Sequence, residues 1–170
     1  MDRSPVSSPT PSLLVTPALA REAVACVRTL FERAVATEDF GESHAAHVVV
    51  MQPGSTPHEA PFESSILYEE SFGDVPRWDV DYSVYARAKA KVAWTTQRDS
   101  QCARDDAPHL LHGGDTVLGG AIHRDGLTVA VSGMQAWFDE ALASSVAAFL
   151  RALAKREVAI RAEDGFLTLR

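Results

Sequence analysis

The chain has 170 residues, a formal net charge of −7 and a hydrophobic fraction of 46%, which suits one globular domain with an ordinary core. Its basic residues are scattered and outnumbered, which argues against a phosphate-binding face for nucleic acid. No apolar run approaches the roughly 20 residues that span a bilayer.

Residues 1–12 carry three prolines and four serines. Residues 1–15 read as a disordered leader ahead of a single domain over 16–170 with a C-terminal arm. Leu13-Leu14-Val15 is shorter than the apolar core of about 7–15 residues that a secretory signal needs, so a cytoplasmic location is expected.

Thr16-Pro17 is a helix start, with Thr as N-cap and Pro at the first helical position. Apolar residues at Leu19, Ala23, Val24, Val27, Leu30, Phe31, Ala34 and Val35 predict an amphipathic helix, with Gly41 as a stop. Cys26 falls in this helix and reads as a buried, inert thiol. His47 to Met51 is short and β-branched, a buried strand. Pro53 to Pro57 supply turn chemistry. Ser64 to Phe72 holds a second strand, centred on Ile66-Leu67-Tyr68.

Asp79 or Asp81 caps the next helix, whose apolar positions are Val84, Tyr85, Ala88, Val92 and Thr95, with Arg87, Lys89 and Lys91 decorating it. Gln97 to Pro108 is polar and irregular, with room for a short helical turn. Cys102 lies there, reactive if exposed. Two apolar runs follow, Thr116 to Ile122 and Leu127 to Gly133, about a His123 to Gly126 turn: a β-hairpin. The last helix runs from about Met134 to Lys155, with Phe138, Leu142, Val146, Phe149, Leu150 and Leu153 on one side. Glu157 to Leu169, around Asp164-Gly165, reads as two short strands or an extended arm. Helices alternating with strand pairs predict an α+β fold, an antiparallel sheet flanked by helices.

Leu111-His112-Gly113-Gly114, Gly119-Gly120-Ala121-Ile122, Asp125-Gly126 and Val129-Ala130-Val131-Ser132-Gly133 resemble the core motif of the GlcG/HbpS-like family. Tyr85 to Lys91 resembles that family's Ala-Arg/Lys-Ala-Lys helix, and Asp139 an acidic position in its last helix. The likeness spans about residues 16–155. Asp115-Thr116 replaces a hydrophobic-Pro pair, and Ala130 replaces a glycine. The resemblance implies a profilin-like fold and a homo-oligomer. It also implies haem or tetrapyrrole binding in some members and no established activity in many others.

The candidate ligand-binding residues are therefore His112, Gly113, Gly114, Ser132, Gly133 and Asp139, with His109 and His112 as candidate metal or haem ligands. Two imidazoles three apart converge on one helix face but not in an extended segment; surface placement is the alternative. His44 and His47 have the same spacing ahead of a strand. Ser132 also reads as the N-cap of the last helix, and Asp139 as a complement to that helix's dipole. Backbone N–H groups after Ser132 are placed to face a ligand anion. Trp78, Trp94, Trp137, Tyr82 and Tyr85 form either a flat apolar cleft for a tetrapyrrole, with Arg77 and Arg87 as its cations, or core and interface surface. Three functions remain open: an oligomeric binding protein for haem or another small ligand, an enzyme on the same fold that degrades haem or acts on a small acid, and a structural or adaptor oligomer. The expected partners are further copies of the chain and a small molecule, with no nucleic acid and no membrane.

Overall fold

The computed structural model describes residues 11–168. The first ten residues of the expected leader lie outside that range. At its end Ser12 Oγ accepts from the backbone N–H of Val15, whose side chain joins the core.

Helix α1, Pro17–Ala36, begins as its sequence dictates. Thr16 Oγ1 accepts from Leu19 N–H at 3.2 Å, and Pro17 occupies a position whose N–H would have no intrahelical acceptor. The helix ends at Thr37, four residues before Gly41. Cys26 is exposed rather than buried, because it lies off the stripe formed by Ala20, Ala23, Val24, Val27 and Phe31.

Strand β1, Ala45–Met51, is buried along its whole length. It is central in a four-stranded antiparallel sheet of order β2-β1-β4-β3, where β2 is Ile66–Gly73, β3 is Ala121–Arg124 and β4 is Leu127–Ser132. Helices cover both faces of β1, so neither set of alternating side chains can be polar without a partner. Ala46, Val48 and Val50 face α1 and the last helix, α4, Ala136–Arg161. Val49 and Met51 face α2, Tyr82–Thr96, and meet Ala86, Ala90, Ala93 and Trp94. The sheet flanked by helices is the α+β architecture expected from the sequence.

Four local expectations change. The β3–β4 turn is only Asp125-Gly126, with φ of 53° and 76°, the two positive values that a tight hairpin of right-twisted strands needs. His123 and Arg124 belong to the strand, and residues 116–120 do not. The 97–108 segment holds α3, Ser100–Asp106, and a 3-10 turn over Pro108–Leu110. Ser100 Oγ accepts from Ala121 N–H at 3.1 Å, and Asp99 accepts from His123 N–H at 2.7 Å. These contacts satisfy donors on the sheet's β3 edge that would otherwise stay unpaired. Finally, α4 continues through Val158 and Ile160 to Arg161, and the arm shrinks to a two-residue ladder, Ala162–Glu163 against Phe166–Leu167.

Helix α2 buries Val92 as expected, but otherwise turns a different face inward. Val84 and Tyr85 are 59% and 41% exposed, while Ala86, Ala90 and Ala93 are fully buried. The alanines let the helix lie close on the sheet, with the larger Val92 and Trp94 buried toward its C-terminal end.

Candidate functional site

Where α2 passes the start of α4, the chain leaves a cleft of about 440 Å³. Its walls come from Gly41 to Ser43, from Val80, Tyr82 and Tyr85, from Leu118-Gly119, and from Ser132 to Ala136. Lys89 and Asp139 form its floor. The volume falls in the range of small-molecule sites.

The floor is a buried ion pair. Lys89 Nζ donates to Asp139 Oδ2 at 2.7 Å and to the Val131 carbonyl at 3.1 Å. Lys89 is 3% exposed and Asp139 is fully buried. Lysine and aspartate are almost never buried to this degree unless paired. Asp139 Oδ1 accepts from Met134 N–H at 3.0 Å, and Gly133 N–H also bonds this carboxylate. The backbone donors after Ser132, read from sequence as facing a ligand anion, are therefore bonded to an internal anion. Desolvation lifts the Asp139 pKa to about 6, against the opposing pull of Lys89 and the two backbone donors.

Two glycines permit this packing. A Cβ on Gly120, whose φ is 118°, would lie 2.7 Å from Asp139 Cβ and 3.1 Å from Lys89 Nζ. A Cβ on Gly133, φ 140°, would collide with the backbone of Ala45. The Gly133 carbonyl accepts the Ser43 hydroxyl, which ties the 41–44 loop to the cleft rim.

Ser132 is the last residue of β4, 4% exposed, and lines the cleft. Among the described residues its hydroxyl has no hydrogen-bond partner. It is not the N-cap of α4: that position is Gln135, whose side chain makes no capping bond. The chain turns through Gly133 and Met134 before the helix begins, which separates Ser132 from the helix N–H groups. Tyr82 donates its hydroxyl to Asp79 at 2.8 Å. Burial first, and then the Asp79 carboxylate, push its pKa to about 12.

Of the residues singled out from sequence, Ser132, Gly133 and Asp139 meet in this cleft. His112, Gly113 and Gly114 lie on an exposed turn that does not line it. That turn is closed by Asp115 N–H to the His112 carbonyl, with Gly114 at φ 92°. His109 is exposed on the preceding 3-10 turn. Among the described residues, no three His, Cys, Asp or Glu side chains gather to hold a metal.

His44 bonds the Val35 carbonyl. His47 is buried on the α2 face, with Nδ1 2.8 Å from Ser71 Oγ and Nε2 3.4 Å from Glu69. Burial lowers its pKa against the pull of Glu69. Of the aromatics, Tyr82 and Tyr85 line the cleft; Trp94 is a core residue whose indole N–H bonds Ser55; Trp137 is exposed. Arg87 is committed to Glu69 by two hydrogen bonds. Burial and nearby Asp99 and Asp106 push the Cys102 thiol up, so it stays protonated.

Lys89 is the residue the sequence reading placed wrongly, among the solvated cations of α2. Its spacing does carry the signal: Ala86, Lys89, Ala90 and Ala93 recur at three and four residues, one helical stripe. The partner 50 positions away at Asp139 carries no such signal.

No family model matches the sequence, and no curated protein matches it. The coordinates resemble the crystal structure of Klebsiella pneumoniae protein ORFY, described under the family model DUF336. The TM-score is 0.58 at 15% identity, covering 89% of this chain and 99% of that one. Ybr137w protein superposes with a TM-score of 0.49 at 16% identity over 80% of this chain and 76% of its own. The chain thus shares the α+β fold of ORFY. No helix among the described residues is long and apolar enough to cross a membrane.

Proposed function

We propose that this chain is a small-ligand-binding protein of the GlcG/HbpS type, with its ligand seated over the Lys89–Asp139 pair. The observation that carries this reading is the cleft floor, where a buried ammonium, a buried carboxylate and a free serine hydroxyl converge. Such convergence of polar groups in a partly apolar pocket is the usual form of a ligand site. The fold shared with ORFY supports the family assignment, because DUF336 is the GlcG-like family.

Haem does not suit this cleft. Of the usual haem ligand types only Met134, Tyr82 and Tyr85 line it, no arginine is there to meet the propionates, and its one lysine is already paired. A compact organic molecule with a hydrogen-bond acceptor fits the donors better. Assembly into a homo-oligomer belongs to this reading. It is supported by the exposed apolar side chains of Val80, Val84, Tyr85, Leu118 and Trp137 at and beside the cleft mouth.

Saturation-transfer NMR with dihydroxyacetone as probe tests the site. We expect transfer to the probe that is lost in Ala136→Trp, which fills the mouth. Absence of transfer, or transfer indifferent to the substitution, defeats the reading. In parallel, haemin titrated into the protein should give no saturable Soret shift; a saturable shift would restore haem as the ligand.

A further inference from the structure

We propose that Lys89 is an imine-forming lysine and that the cleft takes a small aldehyde or ketone, which it holds covalently at Nζ. This rests on the cleft being a ligand site and names the ligand class. Three independent features support it.

The first is the choice of residue. The chain has three lysines, Lys89, Lys91 and Lys155, against thirteen arginines. Lys91 and Lys155 are exposed, and the buried cation is a lysine in a chain that otherwise prefers arginine. A paired structural cation is served at least as well by a guanidinium, which is held in place by several donors. A primary amine can also add to a carbonyl; a guanidinium does not.

The second is the proton partner. Asp139 Oδ2 lies 2.7 Å from Nζ. The same carboxylate has an upward-shifted pKa of about 6, close to the range in which a group both accepts and returns a proton near neutrality. Glu42, Tyr82 and Tyr85 are the other titratable groups lining the cleft.

The third is the hydroxyl of Ser132, a residue 4% exposed that lines the cleft. It is placed to donate to a carbonyl oxygen brought to Nζ. Lys89 itself has three N–H donors and two protein acceptors.

The step balances within these groups. The Lys89 ammonium gives one proton to the Asp139 carboxylate. The neutral amine adds to the carbonyl carbon, forming the C–N bond. A second nitrogen proton moves to the former carbonyl oxygen, which Ser132 holds. Asp139 returns its proton to that oxygen, the C–O bond breaks and water leaves. The product is an iminium at Nζ beside a carboxylate, which restores the original ion pair. No oxidant, reductant or co-reactant is consumed.

The folded wild-type protein is incubated with dihydroxyacetone, reduced with sodium borohydride and mapped by peptide mass spectrometry. We expect a reduced adduct on Lys89 at several times the level on Lys91 or Lys155, with the preference lost when the protein is denatured before labelling. Lys91 and Lys155 serve as internal references for unassisted surface chemistry. In Ala136→Trp, which fills the cleft mouth, labelling of Lys89 should fall to the level of Lys91 and Lys155. If Lys89 is modified no more than the two exposed lysines, the imine proposal is overturned. Transfer retained without an adduct leaves the binding cleft standing; loss of both defeats the cleft as well.

Discussion

At the residue scale, Asp139 couples the fold to pH. Its pKa rises from 3.8 to about 6 on folding, mainly through desolvation. Between those values the folded chain keeps a proton that the unfolded chain has released. Stability from this group is therefore greatest in acid and falls as pH rises toward 6, by about 1 kcal/mol per pH unit at the steepest. His47 acts with the opposite sign, since burial lowers its pKa and the fold holds it neutral. Its contribution grows as pH rises toward the unfolded value and is lost as pH falls. The net profile mixes the two, but the difference between wild type and Asp139→Asn isolates the carboxylate. Denaturant unfolding from pH 4 to pH 7 should show the wild type losing stability relative to Asp139→Asn across that interval. Parallel profiles for the two proteins would show that the carboxylate does not carry the shift.

At the element scale, α2 shows what local pattern can and cannot reveal. Its limits were legible: Asp81 accepts from Ser83 N–H at 3.0 Å as an N-cap should, and Gln97 ends the helix in the left-handed region at φ 54°. Its buried face was legible only at Val92. Hydrophobic size points to Val84 and Tyr85, yet the sheet takes Ala86, Ala90 and Ala93. A helix that lies close on a sheet selects small side chains, and that selection depends on the distance to Val49 and Ala130, which no local window contains. Ala90→Leu should accordingly cost about 1–3 kcal/mol through overpacking, while Val84→Ala should stay within about 0.5 kcal/mol of wild type. Urea midpoints at matched m-values decide this. A neutral Ala90→Leu would mean that α2 can lift off the sheet. The same misreading hid Lys89, which shares the alanine stripe. By contrast α1 was readable in most of its buried face, Leu19, Ala23, Val24, Val27, Phe31 and Ala34, with Leu30 the exception at 46% exposed.

At the scale of the whole molecule, the order of elements was legible because each helix and strand pair carries its own punctuation, such as Thr16-Pro17 and Asp125-Gly126. The central place of β1 was not, since pairing His47 with both Ser71 and Ser132 depends on contacts far apart in sequence. The cleft is a product of that topology: it opens where α2, the end of β4 and the start of α4 converge. The C-terminal ladder has a different standing. Ala162–Glu163 and Phe166–Leu167 are exposed, Phe166 to 77%, and they pair only with each other in the sheet topology. A two-stranded ladder this short is not stable by itself in water, and an aromatic ring left in solvent gains nothing from the hydrophobic effect. Both costs disappear if the arm lies against another copy of the chain, where the strand pairing and Phe166 would be covered. Truncation after Arg161 should therefore lower the mass seen by light scattering, while leaving the far-UV spectrum and the urea midpoint of the remaining domain within about 0.5 kcal/mol of the full chain. If the full-length chain is already a monomer at micromolar concentration, or if truncation leaves the mass per particle otherwise unchanged, the arm does not hold copies together. If the domain itself loses stability, the arm belongs to the core of its own subunit.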